Sequence, residues 1–373
     1  MKYCLVTMMY CCLIKNTFSQ TTYLLVGTYN NKDSTNAIYS YLYNTTTGVA
    51  ISAGSIPGNN ASYLTVNANK KKIYAVSENA NTQGNGGGIV ALALDEKTGA
   101  LSINNNIPSN GNHPCYITTT NNGKYAIVGN YSTGNFSTVS IKDNGLLYKT
   151  VQTIQHTGNS TDTTRQKSPH VHTTVLSRNN KKLYVADLGT DYLYQYKYNP
   201  NKGTVKLQYS VKSPAGSGPR HLAISSNNSY LYLLHEISGT IITYNIKRKK
   251  ILPLQAISTM PVGNTQFASS ADIHIHPNGK FLYATNRGKN NTIASYSVDE
   301  KTGLLTLINI QPTGGLTPRN FSISPNGKYV LVAHQNSNTI TTFTCDNTTG
   351  LLTLINLVIT VTKPVCLQWL TIN

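Results

Sequence analysis

Histidine and the acids are sparse in this chain, and they are not scattered. The 373 residues hold nine histidines and thirteen Asp or Glu. Seven of the histidines (His113, His170, His172, His221, His235, His274 and His334) and four of the acids (Glu78, Asp187, Glu236 and Asp272) fall at matching points beside short β-like runs. Arg220, Arg287 and Arg319 share those points, and Arg165 precedes Ser168-Pro169-His170-Val171-His172. A neutral imidazole can take a proton from water near neutral pH, and a carboxylate can orient it. A guanidinium can hold an anion or stabilise a developing oxyanion. Strand interiors disfavour Asp, and a buried ionised group is costly unless paired. The set therefore reads as a polar pocket. His156 and His276 fall outside the pattern and read as surface histidines.

The points match because the chain repeats itself. Ser324-Pro-Asn-Gly-Lys-Tyr-Val-Leu-Val-Ala-His334 echoes His276-Pro-Asn-Gly-Lys-Phe-Leu-Tyr-Ala-Thr-Asn286 and Thr120-Asn-Asn-Gly-Lys-Tyr-Ala-Ile-Val-Gly-Asn130. Looser copies begin at Asn67, Ser177 and Ser225, with a clipped one at Tyr23. Seven copies of roughly 50 residues indicate a radial array, since no unit that small buries a core alone. Twenty-five tyrosines with frequent Thr, Val and Ile favour strands, and no long 3.6-residue apolar period appears.

Each copy reads as four antiparallel strands. The outer hairpin is marked by Asp-Glu-Lys-Thr-Gly at 95–99 and 299–303 and by related runs ending at Gly48 and Gly350; glycine supplies the positive φ of such turns. The fifth copy has Lys247-Arg248-Lys249-Lys250 instead, so its hairpin must close differently. The first copy lacks its innermost strand, and Lys363-Pro364-Val365-Cys366-Leu367 matches the other inner-strand openings. The expected fold is an all-β, seven-bladed β-propeller of four-stranded antiparallel blades, closed by the C-terminal strand completing the first blade.

Inner strands open with proline or its equivalent. The next residues are Ser62, Cys115, His170, Arg220, Asp272, Arg319 and Val365. Two further on stand Leu64, Ile117, His172, Leu222, His274, Phe321 and Leu367, on the same face by the two-residue period. The second strand of each blade ends where the inner one begins, carrying Ser77-Glu78, Asn130-Tyr131, Asp187-Leu188, His235-Glu236, Asn286-Arg287 and His334-Gln335. Both sets should converge on one rim of the central channel.

Composition narrows the rest. Met1 to Ile14 is a short basic end followed by mostly apolar residues, which reads as a secretory leader over residues 1–20, too short to span a bilayer comfortably; an extra edge strand is the alternative. The remainder, 21–373, reads as one propeller domain and a monomer. The leader implies a periplasmic or secreted protein, cytoplasmic if the segment is not a cleaved leader. Cys115, Cys345 and Cys366 lack CxxC spacing and argue against a disulfide framework or zinc site. Four scattered acids beside arginines make a poor cage for a hard cation, so no metal or other cofactor is expected. The net charge is +18, but the lysines cluster in turns without interleaved aromatics, so no nucleic-acid partner is expected.

At these residues the chain resembles the seven-bladed lactonases, the propeller-type bacterial 6-phosphogluconolactonases and their carboxymuconate-cyclase relatives. The matching runs are Leu25-Val-Gly-Thr28, Arg165 to His172, Val185 to Asp191, Gly218-Pro-Arg-His-Leu222 with His235-Glu236, Ala271-Asp-Ile-His274, and Phe281 to Arg287. The resemblance implies hydrolysis of a sugar lactone in the channel mouth, without a required metal. It makes His170, His172, Arg220, His221, Glu236, Asp272, His274 and Arg287 pocket residues. On that footing His170, His221, Glu236 and Asp272 are the catalytic candidates. Arg165, His172, Arg220, His274, Arg287, Arg319, Glu78 and Asp187 are the substrate-binding candidates for a small, anionic lactone. A non-catalytic propeller binding a glycan, envelope component or protein through the same rim is the alternative, and an isomerase or cyclase acting on an unsaturated diacid is a third.

Overall fold

The computed structural model describes residues 20–30, 35–247, 250–264 and 266–372. The expected leader, apart from Gln20, lies outside the described residues, as does the centre of the fifth-blade hairpin. Among the described residues, twenty-eight strands form seven four-stranded sheets, and the only helical element is a single 3-10 turn at Ala68–Lys70. Every pairing is antiparallel between sequence neighbours except one. Pro364–Ile372 pairs with Thr21–Thr28, Leu24 opposite Trp369, so the C-terminal strand completes the first blade and closes the ring.

Tyrosine, leucine and valine from adjoining sheets fill the wedges between blades; Tyr23, Ile73, Val76 and Val128 belong to one such cluster. Burying these faces against neighbours on both sides is what makes closure favourable. The outer hairpins show how turn chemistry sets the spacing. Asp95 Oδ1 accepts from the backbone N–H groups of Lys97 and Thr98, and Gly99 follows at φ +78°. A Cβ on Gly99 would lie 2.6 Å from both Ala53 Cβ and the Tyr23 ring, so both backbone and packing demand glycine there.

The inner strands carry the feature that positions the site. In six of the seven blades the pairing between the inner strand and its neighbour slips at the strand's opening. Pro219 faces His235, but Leu222 already faces Leu233, so Arg220 and His221 together oppose only Leu234. This is a β-bulge, which re-aims side chains beside a ladder. Two consecutive residues, Arg220 and His221, thereby line the channel, while Leu222 turns into the wedge core.

The bulge overturns the expected alternation. Leu64, Ile117, Leu222, Phe321 and Leu367 lie in the cores between blades, not on the channel face with His172 and His274. The register also moves two residues. Val171 pairs with Asp187 as Pro219 pairs with His235, so His172, not His170, is the counterpart of Arg220. Ser270 pairs with Asn286, so Asp272 is the counterpart of His221.

Candidate active site

One end of the channel opens into a cavity of about 330 Å³ lined by four guanidiniums and two carboxyl groups: Arg165, Arg220, Arg287 and Arg319 with Glu236 and Glu78. Glu236 is at its centre. Oε2 accepts from Arg220 Nη1 and lies 3.0 Å from Arg287 Nη2, while Oε1 is 2.6 Å from Arg165 Nη2. Burial opposes its ionisation, but Arg287, then Arg220 and Arg165, hold it well below the usual carboxylate range. The cage still has more cation than anion. Burial first, and then the neighbouring Arg220, draw Arg287 down to about 9.

The guanidiniums are aimed by backbone as well as by charge. Arg220 Nε donates to the Ala271 carbonyl at 2.7 Å, and Arg287 Nε to that of Ser269 at 3.0 Å. Arg220 Nη1 also lies 2.6 Å from His172 Nε2. A guanidinium only donates, so that nitrogen accepts and His172 is neutral; burial and then Arg220 keep its pKa well below normal. Across the cavity Arg319 Nη2 donates to Tyr29 Oη at 2.7 Å, and that hydroxyl donates to Glu78 Oε2 at 2.8 Å.

His170, expected in the pocket, is not itself among the residues lining this cavity and reaches it through Tyr131. Its ring stacks on that of the lining residue Tyr131, and Nδ1 lies 2.9 Å from the Tyr131 carbonyl oxygen. A carbonyl only accepts, so the proton sits on Nδ1 and the lone pair of the neutral ring on Nε2.

Alternation explains the second strands. The last strand residue turns into the blade packing and the next one faces the mouth. His235 is fully buried, with Nε2 2.9 Å from Ser213 Oγ, and Glu236 is in the cage. Asn286 is buried against Thr259 and Ser270, and Arg287 is in the cage. His334 is likewise buried. Tyr29 and Tyr131 hold the same mouth-facing position in their blades. The sequence placed Tyr131 at the rim without a role and left Tyr29 out of the set, although alignment with Glu236 and Arg287 was the signal that could have found it. Cys115, the counterpart of Arg220, also lines the cavity.

Several expectations change. His221, Asp272 and His274 are not at this mouth: they line a second cavity of about 200 Å³ with Tyr63, Tyr116 and Arg178. Between the two cavities the axis narrows to a space of about 10 Å³ lined by Ser62, His172, Arg220 and His221. That is about one water molecule and admits no substrate. Glu236 therefore orients guanidiniums and no imidazole.

Asp187 does not touch substrate space. It is fully buried, accepting from the backbone N–H groups of His170, Gly189 and Thr190, so it fixes the His170 turn from behind. His156, expected at the surface, is buried with Nδ1 2.8 Å from Asp187 Oδ2 and Nε2 2.9 Å from Tyr196 Oη. His276 is buried too, Nε2 being 2.8 Å from the Gly327 carbonyl. His113 bonds Ser132 Oγ at 2.7 Å and is not among the lining residues of the mouth.

Asp191 is a further acid with a structural role that spacing did not reveal. Its carboxylate accepts from Gln166 Nε2, Ser160 Oγ and the backbone N–H groups of Gly216 and Gly218, tying the loop that carries Arg165 to the opening of the next blade. Among the described residues no three His, Cys, Asp or Glu side chains are set to hold a metal ion, and no helix is long and apolar enough to cross a membrane.

A family model described as "Lactonase, 7-bladed beta-propeller" matches residues 23–369. The chain is 32% identical to a 6-phosphogluconolactonase of Formosa agariphila, over 84% of this chain and 90% of that protein. Its fold superposes on the crystal structure of a Bacteroides fragilis protein provisionally assigned as a 6-phosphogluconolactonase, with TM-score 0.87, 36% identity and coverage of 95% and 99% of the two chains. It also superposes on the periplasmic gluconolactonase PpgL of Pseudomonas aeruginosa, with TM-score 0.86, 30% identity and coverage of 94% and 99%.

Proposed function

Since the chain belongs to the seven-bladed β-propeller lactonase family, an enzyme family that opens lactones with water, we propose that this member hydrolyses an anionic sugar lactone in the guanidinium-lined mouth. The observation that carries the substrate class is the imbalance of four guanidiniums over two carboxyl groups in one cavity. A bound phosphate or carboxylate supplies the missing negative charge.

In this reading Arg165 and Arg319, on the walls, hold the substrate's anionic group. His170 Nε2 takes a proton from water, whose oxygen bonds to the lactone carbonyl carbon. The oxyanion that forms lies against Arg220 and Arg287, whose positions are fixed before substrate arrives. The tetrahedral carbon then expels the ring oxygen, the imidazolium returns its proton to that alkoxide, and the hydroxy acid leaves. Asp187 is a positioning residue, acting through the His170 backbone.

The basic, apolar start of the chain and the likeness to a periplasmic gluconolactonase support export, and ring closure supports a monomer. N-terminal sequencing of the mature protein and gel filtration check these two points. The reaction itself is tested by His170→Ala, with spontaneous ring opening subtracted. A fall in kcat of ~10²–10⁴ is expected for loss of a general base; hydrolysis within about threefold of wild type would remove His170 from that role.

A further inference from the structure

The cavity at the other end of the channel has no part in the reaction just described. Its inner wall is an acid–imidazole cluster. Asp272 Oδ1 is 2.7 Å from His221 Nδ1, and Oδ2 is 2.9 Å from His274 Nε2. Asn320 Nδ2 and the backbone N–H groups of Ile273 and Phe321 complete the carboxylate's shell. Asp272 accepts from His221 Nδ1–H, so the His221 lone pair is on Nε2. That nitrogen is buried and has no hydrogen-bond partner among the described residues. A buried polar atom left unpaired costs about 1–3 kcal/mol and calls for a partner.

The remaining wall suits a small, hydroxyl-rich molecule. Tyr63 and Tyr116 stack with ring centroids 4.2 Å apart, and His221 stands edge-on to both. Val175, Ile224 and Ile275 add apolar surface. Arg178 is exposed at the lip, with Nε bonded to the Ser225 carbonyl and no hydrogen bond from either Nη among the described residues. At about 200 Å³ the space is below the ~300–1,000 Å³ of drug-sized sites, so its occupant is small.

We propose that this cavity is a second binding site for a polyhydroxy carboxylate, with a ligand hydroxyl donating to His221 Nε2 and the carboxylate on Arg178. Its choice of ligand rests on the lactonase reading, because opening a sugar lactone yields such an acid. The site's separation from the mouth follows from the axial constriction between them. Asp272 is its positioning residue, fixing the His221 tautomer.

Calorimetric titration with sodium gluconate tests it. Wild type should bind two equivalents per chain. Arg220→Met, which disables the mouth, should keep the second; His221→Phe and, separately, the surface variant Arg178→Ala should weaken that second event about tenfold or more. A single equivalent abolished by Arg220→Met, or a second event that neither His221→Phe nor Arg178→Ala weakens, overturns the proposal. The two readings fail separately. Hydrolysis without a second gluconate event removes this site and leaves the lactonase reading. A His221-dependent gluconate event in a chain that hydrolyses no lactone does the reverse.

Discussion

The imidazole of His170 lies parallel to the ring of Tyr131, centroids 4.3 Å apart, with Nδ1 2.9 Å from the same residue's carbonyl oxygen. One residue thus supports the ring by its side chain and sets the tautomer by its backbone. Tyr131 Oη also accepts from Arg165 Nη2 at 3.2 Å. Tyr131→Phe should keep the stack and lose the arginine contact, raising KM several-fold with kcat nearly intact. Tyr131→Leu should lower kcat as well. Steady-state kinetics of the pair separate these effects, and equal kcat values would show that the stack does nothing for catalysis.

Among the described residues Glu236 is the one ion-pair partner common to Arg165, Arg220 and Arg287. Glu236→Gln leaves buried guanidiniums without their counter-charge, and breaking a buried pair costs ~3–5 kcal/mol. Urea unfolding should report a loss of that size. Inorganic phosphate should recover part of it by occupying the cage, and should stabilise the variant more than wild type. Equal shifts would place phosphate elsewhere.

Asp191 anchors the Arg165 loop to the opening of the fifth blade through five hydrogen bonds to its carboxylate. Asp191→Ala should release that loop. The expected kinetic signature is a KM increase of about tenfold or more with a smaller fall in kcat, since in the proposed mechanism Arg165 holds the substrate's anionic group and not the reacting carbonyl. Faster amide exchange at residues 160–166 and 213–218 would accompany it.

Acid stability should be governed by buried neutral imidazoles. Burial pulls His221, His235 and His334 down to about 4, and His172 well below its normal value. In the unfolded chain each binds a proton near ~6.5. Their contribution is therefore complete above ~6.5 and is lost as pH falls from there toward about 4, at up to ~1.4 kcal/mol per pH unit for each proton. His274 runs the other way. Burial opposes it, but Asp272 raises its pKa, so its contribution is present below ~6.5 and lost as pH rises through the folded value. Asp272, held low against burial by His274 and His221, adds a further loss only below ~4. Urea midpoints between pH 7.5 and 4.5 should fall steadily, and a flat profile would contradict the neutral assignment.

The repeat made the ring legible. Pro-Asn-Gly-Lys turns fixed where strands begin, and Pro364-Val365-Cys366 betrayed the closing strand because it copied the other openings. Glu236, Arg287 and Glu78 were also legible, since a residue following the end of a strand keeps its place in every blade. What spacing could not show was the bulge. A single extra residue has no signature in hydrophobic alternation, yet it puts Arg220 and His221 in separate cavities and makes His172 the counterpart of Arg220. Asp187 and His156 were misread, and Asp191 was given no role, for another reason. Their role comes from loops that fold back from a neighbouring blade, and such contacts have no fixed distance along the chain.

The most direct test of the cage is substrate discrimination. Initial rates on 6-phosphogluconolactone and on gluconolactone, each corrected for spontaneous opening, give kcat/KM for wild type and for Arg319→Met. A wild-type preference of about tenfold or more for the charged lactone, collapsing in Arg319→Met while the neutral lactone is still opened, is the predicted result. Equal kcat/KM for the two lactones in wild type, or a preference that survives the substitution, would contradict it.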